Sequence, residues 1–192
     1  MYIICLAGPG GVGKSTTAKA LVKSFNKLFP ELKIENMAFA DPIYELASNL
    51  LGIPVELLKS QEYKEVVWTK ETSPMPSLIG WTPRKFLQIV GTEGFRNNVA
   101  NDFWVEVTIR KAQIKNLDFV VMEDARFSNE YDKSSLTIEL KRDNIQYKCN
   151  HASAMPPDPK YISFILELIK DINYDTIVLK IVKTLEDIKC GM

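Results

Sequence analysis

The octet Gly8-Pro-Gly-Gly-Val-Gly-Lys-Ser15 limits what this chain can fold into more than any other stretch. Four residues separate Gly8 from Gly13, and Lys14 and Ser15 follow, which is the Walker A spacing. Tyr2–Ala7 ahead of it is a short apolar run of strand type. Thr16–Leu28 behind it places Ala18, Leu21, Val22, Phe25 and Leu28 at helical spacing. Strand, glycine loop and helix in that order are the context the motif requires. Glycines let the backbone curl until successive N–H groups converge on phosphate oxygens, and the helix N-terminus adds the positive end of its dipole. The expected triphosphate cradle is therefore Gly10, Gly11, Val12, Gly13, Lys14, Ser15 and Thr16. Lys14 is expected at the β- and γ-phosphates, with the Ser15 hydroxyl directed to Mg²⁺.

The rest of the composition narrows the class. A chain of 192 residues, 46% of them hydrophobic, suits one domain with an inserted lobe. Lys plus Arg and Asp plus Glu both number 24, so the balance is neutral and argues against binding a nucleic-acid polymer. Only 5 of the 24 cations are arginine, so each arginine invites a reason, and bidentate grip on phosphate or carboxylate is one. Cys5, Cys149 and Cys190 are odd in number and scattered, as free thiols in a reducing compartment would be. A strand starting at Tyr2 and the lack of any run of membrane-spanning length lead to the expectation of a cytoplasmic protein without a leader.

Further along, Lys33–Ala40 reads as a second strand. Asp41-Pro42 then reads as a helix cap followed by a first-turn proline. That helix is expected to bury Ile43, Leu46, Ala47, Leu50 and Leu51 and to stop at Gly52. Pro54–Trp68 is expected to be helical and 70–80 to be an irregular loop. Thr82-Pro83 opens another helix, which Gly91-Thr-Glu-Gly94 is expected to break. A long helix is expected from Asn98 to Lys115. Phe119-Val-Val-Met122 followed by Glu123-Asp124 looks like a buried parallel strand that delivers acids to the sheet edge. Strand candidates at Leu136–Leu140 and Tyr161–Leu168 and an amphipathic helix at Thr176–Lys189 complete the chain. Alternating strands and helices predict an α/β fold, a mostly parallel sheet with helices on both faces and ligands beyond the strand C-termini. Residues 42–97 exceed one crossover helix and read as a helical lobe inserted into a single domain, 1–192.

Phosphoryl transfer needs a triphosphate cradle, a magnesium site, cations on the moving group and a positioned acceptor. Asp124 or Glu123 joins Ser15 as the candidate for magnesium. Arg84, Arg96 and Arg126 lie in polar motif segments and fit phosphate geometry. Arg142 follows a strand and is placed to flank the nucleotide, whereas Arg110 reads as a solvated helix face. No nucleophilic side chain is required, because an acceptor phosphate oxygen is itself a nucleophile. His151, the one histidine, reads as a loop residue.

Taken together, the segments Gly8–Ser15, Phe39-Ala-Asp-Pro42, Lys70-Glu71, Thr82-Pro-Arg84 with Leu87-Gln88, Gly91-Thr-Glu93 with Arg96, Phe103-Trp104, Asp124-Ala-Arg-Phe127 with Asn129-Glu130, and His151-Ala-Ser153 resemble the phage deoxynucleoside monophosphate kinases, a branch of the P-loop nucleoside monophosphate kinases. The resemblance implies an ATP- and Mg²⁺-dependent enzyme that converts a dNMP to a dNDP for DNA precursor supply. It implies an acceptor lobe in which Asp41, Lys70, Arg84, Gln88, Glu93 and Arg96 hold the monophosphate. Arg126 would act near the transferred phosphoryl, with Glu130 orienting it. This chain departs from the pattern at Tyr44, where a basic residue is expected after the Asp-Pro, and at Ala154-Met155, where an acid is expected. Two alternatives stay open: another small-molecule P-loop kinase, such as a dephospho-CoA kinase or a general NMP kinase, and a P-loop switch that only senses nucleotide. A homodimer is a further open expectation for the chain.

Overall fold

The structure, a computed structural model, describes residues 1–147 and 156–190, with the side chains of 189–190 excluded. His151 and Cys149 lie outside the described residues. In chain order the elements are β1 (Tyr2–Ala7), α1 (Lys14–Leu28), β2 (Ile34–Met37), α2 (Asp41–Leu51), α3 (Val55–Lys59), α4 (Gln61–Lys64) and α5 (Pro83–Gln88). A π-helical segment, Ile89–Arg96, follows directly. Then come α6 (Phe103–Ile114), β3 (Phe119–Met122), α7 (Ser128–Tyr131), β4 (Leu136–Lys141), β5 (Phe164–Glu167) and α8 (Tyr174–Cys190). The described residues form two compact units, 1–38 with 109–192, and 39–108.

The first unit is built on a five-stranded sheet of order β2-β3-β1-β4-β5, in which every neighbouring pair is parallel. Because the strands are parallel, their C-terminal ends share one edge. Cys5 pairs with Met122 and Met37 with Met122, so the glycine loop after β1 and the acids after β3 leave the sheet side by side. One face of the sheet packs Ile4, Leu6, Val121, Leu136, Ile138 and Leu140 against Leu21 and Phe25 of α1 and Val178, Ile181 and Leu185 of α8. The α8 stripe is shorter than its periodicity predicts, since Ile188 is exposed. Cys5 is fully buried in β1, and burial pushes its thiol far above the ordinary range, so it behaves as a small apolar core residue.

The second unit has its own core of Ala47, Leu51, Ile53, Leu58, Trp68 and Leu78. Several sequence expectations fail here, each for a local reason. Asp41 is the first helical residue and not the cap, because the Ala40 carbonyl already accepts the N–H groups of Ile43 at 3.0 Å and Tyr44 at 3.2 Å; the Asp41 carboxylate accepts from Lys59 at 2.5 Å. Leu50 points to solvent. Residues 54–68 form two short helices rather than one, since Ser60 stays extended and its hydroxyl accepts the Tyr63 N–H at 3.3 Å. The Thr82 hydroxyl does cap α5, accepting from the Lys85 N–H at 3.2 Å. The two glycines after α5 do not break it; the chain widens into the π-helix instead. Gly91 is there for close approach: a Cβ on it would sit 3.0 Å from Ile43 Cδ1. Its carbonyl accepts the buried Trp104 indole N–H at 2.8 Å. The aromatic trio Phe95, Phe103 and Trp104, with centroids 4.7–5.0 Å apart, delays the start of α6 to Phe103.

Candidate active site

The loop between β1 and α1 is held in an unusual backbone path. Gly8 has φ 144° and Gly13 has φ 113°, conformations that favour glycine. At Gly8 a side chain is also excluded by packing, because a Cβ would lie 2.9 Å from the Leu140 carbonyl oxygen. Lys14, the first residue of α1, folds back over the loop. Its ammonium donates to the carbonyls of Gly8 at 2.7 Å and Pro9 at 3.0 Å. The loop is thus shaped by its own lysine, and the N–H groups of Gly11, Gly13, Lys14, Ser15 and Thr16 donate to no carbonyl among the described residues. An open set of donors at a helix N-terminus is an anion-binding arrangement. Ser15 and Thr16 are exposed at the same turn, while Val12 is buried and anchors the loop to the core.

Electrostatics tie this loop to the segment after β3. Half-burial, the Arg126 guanidinium and, in the opposite sense, Asp124 and Glu123 act together on Lys14 and lower it from the lysine range to about 8. Lys14, Arg126, Asp124 and Glu123 therefore belong to one neighbourhood. The Asn36 amide at the end of β2 donates to Glu123 Oε2 at 2.7 Å, and the Asn36 Oδ1 is buried without a partner among the described residues. Nothing in the local sequence marks Asn36 for this role; the β2–β3 register brings it there.

Arg126 is exposed, and its guanidinium makes no ion pair among the described residues. Its backbone is fixed from below. The carboxylate of Glu130, only 3% exposed, accepts the N–H of Arg126 at 2.6 Å and of Phe127 at 3.1 Å. Tyr131 of α7 closes the same turn by donating its hydroxyl to the Ala125 carbonyl at 2.8 Å. Here Glu130 acts on the main chain that carries Arg126.

Arg142, just past β4, reaches the loop from the other side. A Cβ on Gly13 would lie 3.3 Å from its terminal nitrogen and 3.4 Å from Leu168. Beside it opens a cavity of about 480 Å³ lined by Pro9, Arg142, Glu139, Tyr147 and Leu168 among others. The Tyr147 hydroxyl donates to Glu139 Oε1 at 3.4 Å, and burial together with that carboxylate pushes the phenol well above its ordinary value. Sequence reasoning missed Glu139 and Tyr147; a lone acid within a strand pattern and a loop tyrosine carry no motif.

Oxygen donors at the loop and in the Lys14 neighbourhood include the Ser15 and Thr16 hydroxyls and the carboxylates of Asp124 and Glu123. No cluster of three or more His, Cys, Asp or Glu occurs among the described residues. That all-oxygen set suits a hard cation that keeps most of its own water.

In the second unit, Arg84 donates from Nε to Glu65 Oε1 at 2.5 Å and from a terminal nitrogen to Gln61 at 3.3 Å. Asp41 is engaged by Lys59. Gln88 and Glu93 are exposed, one on α5 and one on the π-helix, and Arg96 is half-buried at the end of that segment. Lys70 is exposed in a turn held by the Thr69 N–H donating to the Thr72 hydroxyl at 2.9 Å. Arg110 is exposed on α6, as its sequence position suggests.

No family model matches the chain. The chain is similar to the deoxynucleoside-5'-monophosphate kinase of Escherichia phage T5, 27% identical over 188 residues, spanning 74% of this chain and 75% of that protein. It is also similar to a protein of Acanthamoeba polyphaga mimivirus named "Putative deoxynucleotide monophosphate kinase", 31% identical over 144 residues, spanning 69% of this chain and 67% of that protein. Among solved structures, an uncharacterized protein from Eubacterium ventriosum aligns over 97% of this chain with a TM-score of 0.45 and 11% identity, a level that bears on neither fold nor function. With the glycine loop, its lysine and the acids after β3 in place on a parallel sheet, and with identity of 31% across two thirds of a relative, the chain belongs to the deoxynucleoside monophosphate kinase family.

Proposed function

We propose that this protein transfers the γ-phosphoryl group of ATP to a deoxynucleoside monophosphate, releasing ADP and the diphosphate. The observation that carries the reading is the glycine loop with unpaired N–H donors, braced by Lys14, in the same neighbourhood as Arg126 and Asp124. An oxygen of the acceptor phosphate attacks the γ-phosphorus, and the bond from that phosphorus to the β–γ bridging oxygen breaks. Charge on the equatorial oxygens would be met by Lys14, released from the Gly8 and Pro9 carbonyls, and by Arg126, whose backbone Glu130 fixes. Ser15 and Asp124 would hold Mg²⁺ on this reading, and the ion would supply further neutralisation of phosphate charge. Arg142 and the cavity beside it would receive the remainder of the donor nucleotide.

Residues 42–97 act in this scheme as the acceptor lobe, and Asp41, Lys70, Arg84, Gln88, Glu93 and Arg96 as its binding residues. Arg84 would exchange Glu65 for the acceptor phosphate, a swap that a short exposed ion pair permits at low cost.

The test is ADP release from ATP and Mg²⁺ against a panel of dNMPs, ribonucleotides and dephospho-CoA, with a no-acceptor control. Turnover confined to dNMPs is expected. Turnover on ribonucleotides or dephospho-CoA alone would move the chain to another acceptor class. Equal ADP release in every well would mean that the arginines of the second unit serve no acceptor.

A further inference from the structure

We propose that Lys64, backed by the ring of Tyr44, is an anion subsite that takes the phosphate of the acceptor nucleotide. The proposal rests on the kinase reading above and adds residues that no motif contains. Lys64 ends the four-residue helix α4, and only 8% of it is exposed. Among the described residues it is the sole buried lysine. The backbone carrying it is fixed by the Ser60 cap and by Trp68, itself 1% exposed, whose indole N–H donates to the Tyr63 hydroxyl at 3.4 Å.

The Lys64 ammonium lies 5.0 Å from the centroid of the Tyr44 ring. It has no hydrogen bond and no carboxylate partner among the described residues. Acids are present in the cluster, but other cations engage them. Lys59, 5.5 Å from the same ring, binds Asp41 at 2.5 Å. Glu65, the next residue along, binds Arg84 at 2.5 Å. A ring face offsets only part of what an ammonium loses when water is removed from it. A fixed, largely dehydrated cation with spare N–H donors is poised for an anion that brings its own charge. A phosphate monoester fits best, because it is compact, carries up to two charges and accepts several bonds at once. Arg84, joined to the site through Glu65, supplies the second cation such a group requires. On this view Tyr44 holds the ammonium in position, and Lys64 touches the substrate.

Steady-state kinetics on the full chain test the inference with Lys64→Met and Tyr44→Leu, together with thermal midpoints with and without dNMP. Methionine keeps the length and removes the charge. Lys64→Met is expected to raise KM for the dNMP on the order of 10- to 100-fold, the loss of one charged hydrogen bond, with KM for the phosphoryl donor unchanged. Its midpoint without nucleotide should equal or exceed that of the wild type, since an unpaired buried charge is gone, and the rise on adding dNMP should shrink. Tyr44→Leu should move KM for dNMP in the same direction by less. A dNMP KM within about twofold of wild type in Lys64→Met overturns the subsite, and the same result in Tyr44→Leu does so if the lysine variant does not fold. A lowered midpoint with unchanged dNMP affinity would mark Lys64 as purely structural. Wild-type protein that phosphorylates no dNMP refutes the kinase reading itself; wild-type turnover with an unaltered variant refutes the subsite alone.

Discussion

Lys14→Met separates what this lysine does for the reaction from what it costs the fold. In the folded chain, half-burial and the neighbouring Arg126 outweigh the help of Asp124 and Glu123 and lower Lys14 from 10.5 to about 8. At 1.36 kcal/mol per tenfold, that drop is worth roughly 3 kcal/mol against the charged form. Solvent reaches this side chain, so about 1–2 kcal/mol is a fairer magnitude. The sign follows from linkage. The folded value lies below the unfolded one, so between about 8 and 10.5 the unfolded chain binds more protons, and wild-type stability rises with pH across that window. The penalty is fully present below about 8 and gone above 10.5. Methionine carries no such penalty but forfeits the two bonds to Gly8 and Pro9. Lys14→Met should therefore be more stable than wild type by roughly 1 kcal/mol at pH 7, with the gap closing as pH rises toward 10.5. Urea denaturation of both proteins at pH 7, 8, 9 and 10 measures it, and taking the difference cancels the other titrating groups. Phosphoryl transfer should meanwhile fall by about 10²- to 10³-fold or more, as for loss of one preorganised donor to a developing charge. A variant less stable than wild type at pH 7, or a gap independent of pH, would refute the electrostatic account; retained turnover would refute the role of the loop.

Three further perturbations probe the same neighbourhood. Gly8→Ala should destabilise by about 2–4 kcal/mol and remove activity, because its Cβ meets the Leu140 carbonyl at 2.9 Å on a left-handed backbone; a melting midpoint equal to wild type would count against it. Glu130→Gln weakens the acceptor for two N–H groups beneath Arg126 and should cost about 1–3 kcal/mol of stability and lower kcat, read by denaturation and turnover together. Arg126→Met removes a like charge, so Lys14 should titrate higher and the alkaline fall in donor affinity, expected near pH 8 in the wild type, should move upward; calorimetric titration across pH 7–10 shows whether it does.

The legible parts of this chain were those in which local chemistry and long-range packing demand the same thing. Gly8, Gly13, Lys14 and the strand before them satisfy a turn and a core together, so the motif and the fold agree. Phe119–Met122 was readable as a buried parallel strand because its apolar run admits no amphipathic alternative. The misreadings lie in 39–108, where short segments compete. Gly91 looked like a helix end, yet its missing side chain makes room for Ile43 and its carbonyl meets Trp104. Asp41 looked like a cap, yet the helix begins one residue earlier, where the Ala40 carbonyl accepts from Ile43 and Tyr44.

The sequence by itself determined the glycine loop between strand and helix and the parallel α/β architecture. Those follow from backbone conformation and hydrophobic period, which are properties of neighbouring residues. Only the tertiary structure decided that Asn36 holds Glu123, that Glu130 supports the backbone of Arg126, that Arg142 closes on Gly13, and that Lys64 is buried over Tyr44 with no acid partner among the described residues. Each of these depends on strand register or on the packing of separate elements, and charges separated along the chain acquire their effect only when burial removes the water between them.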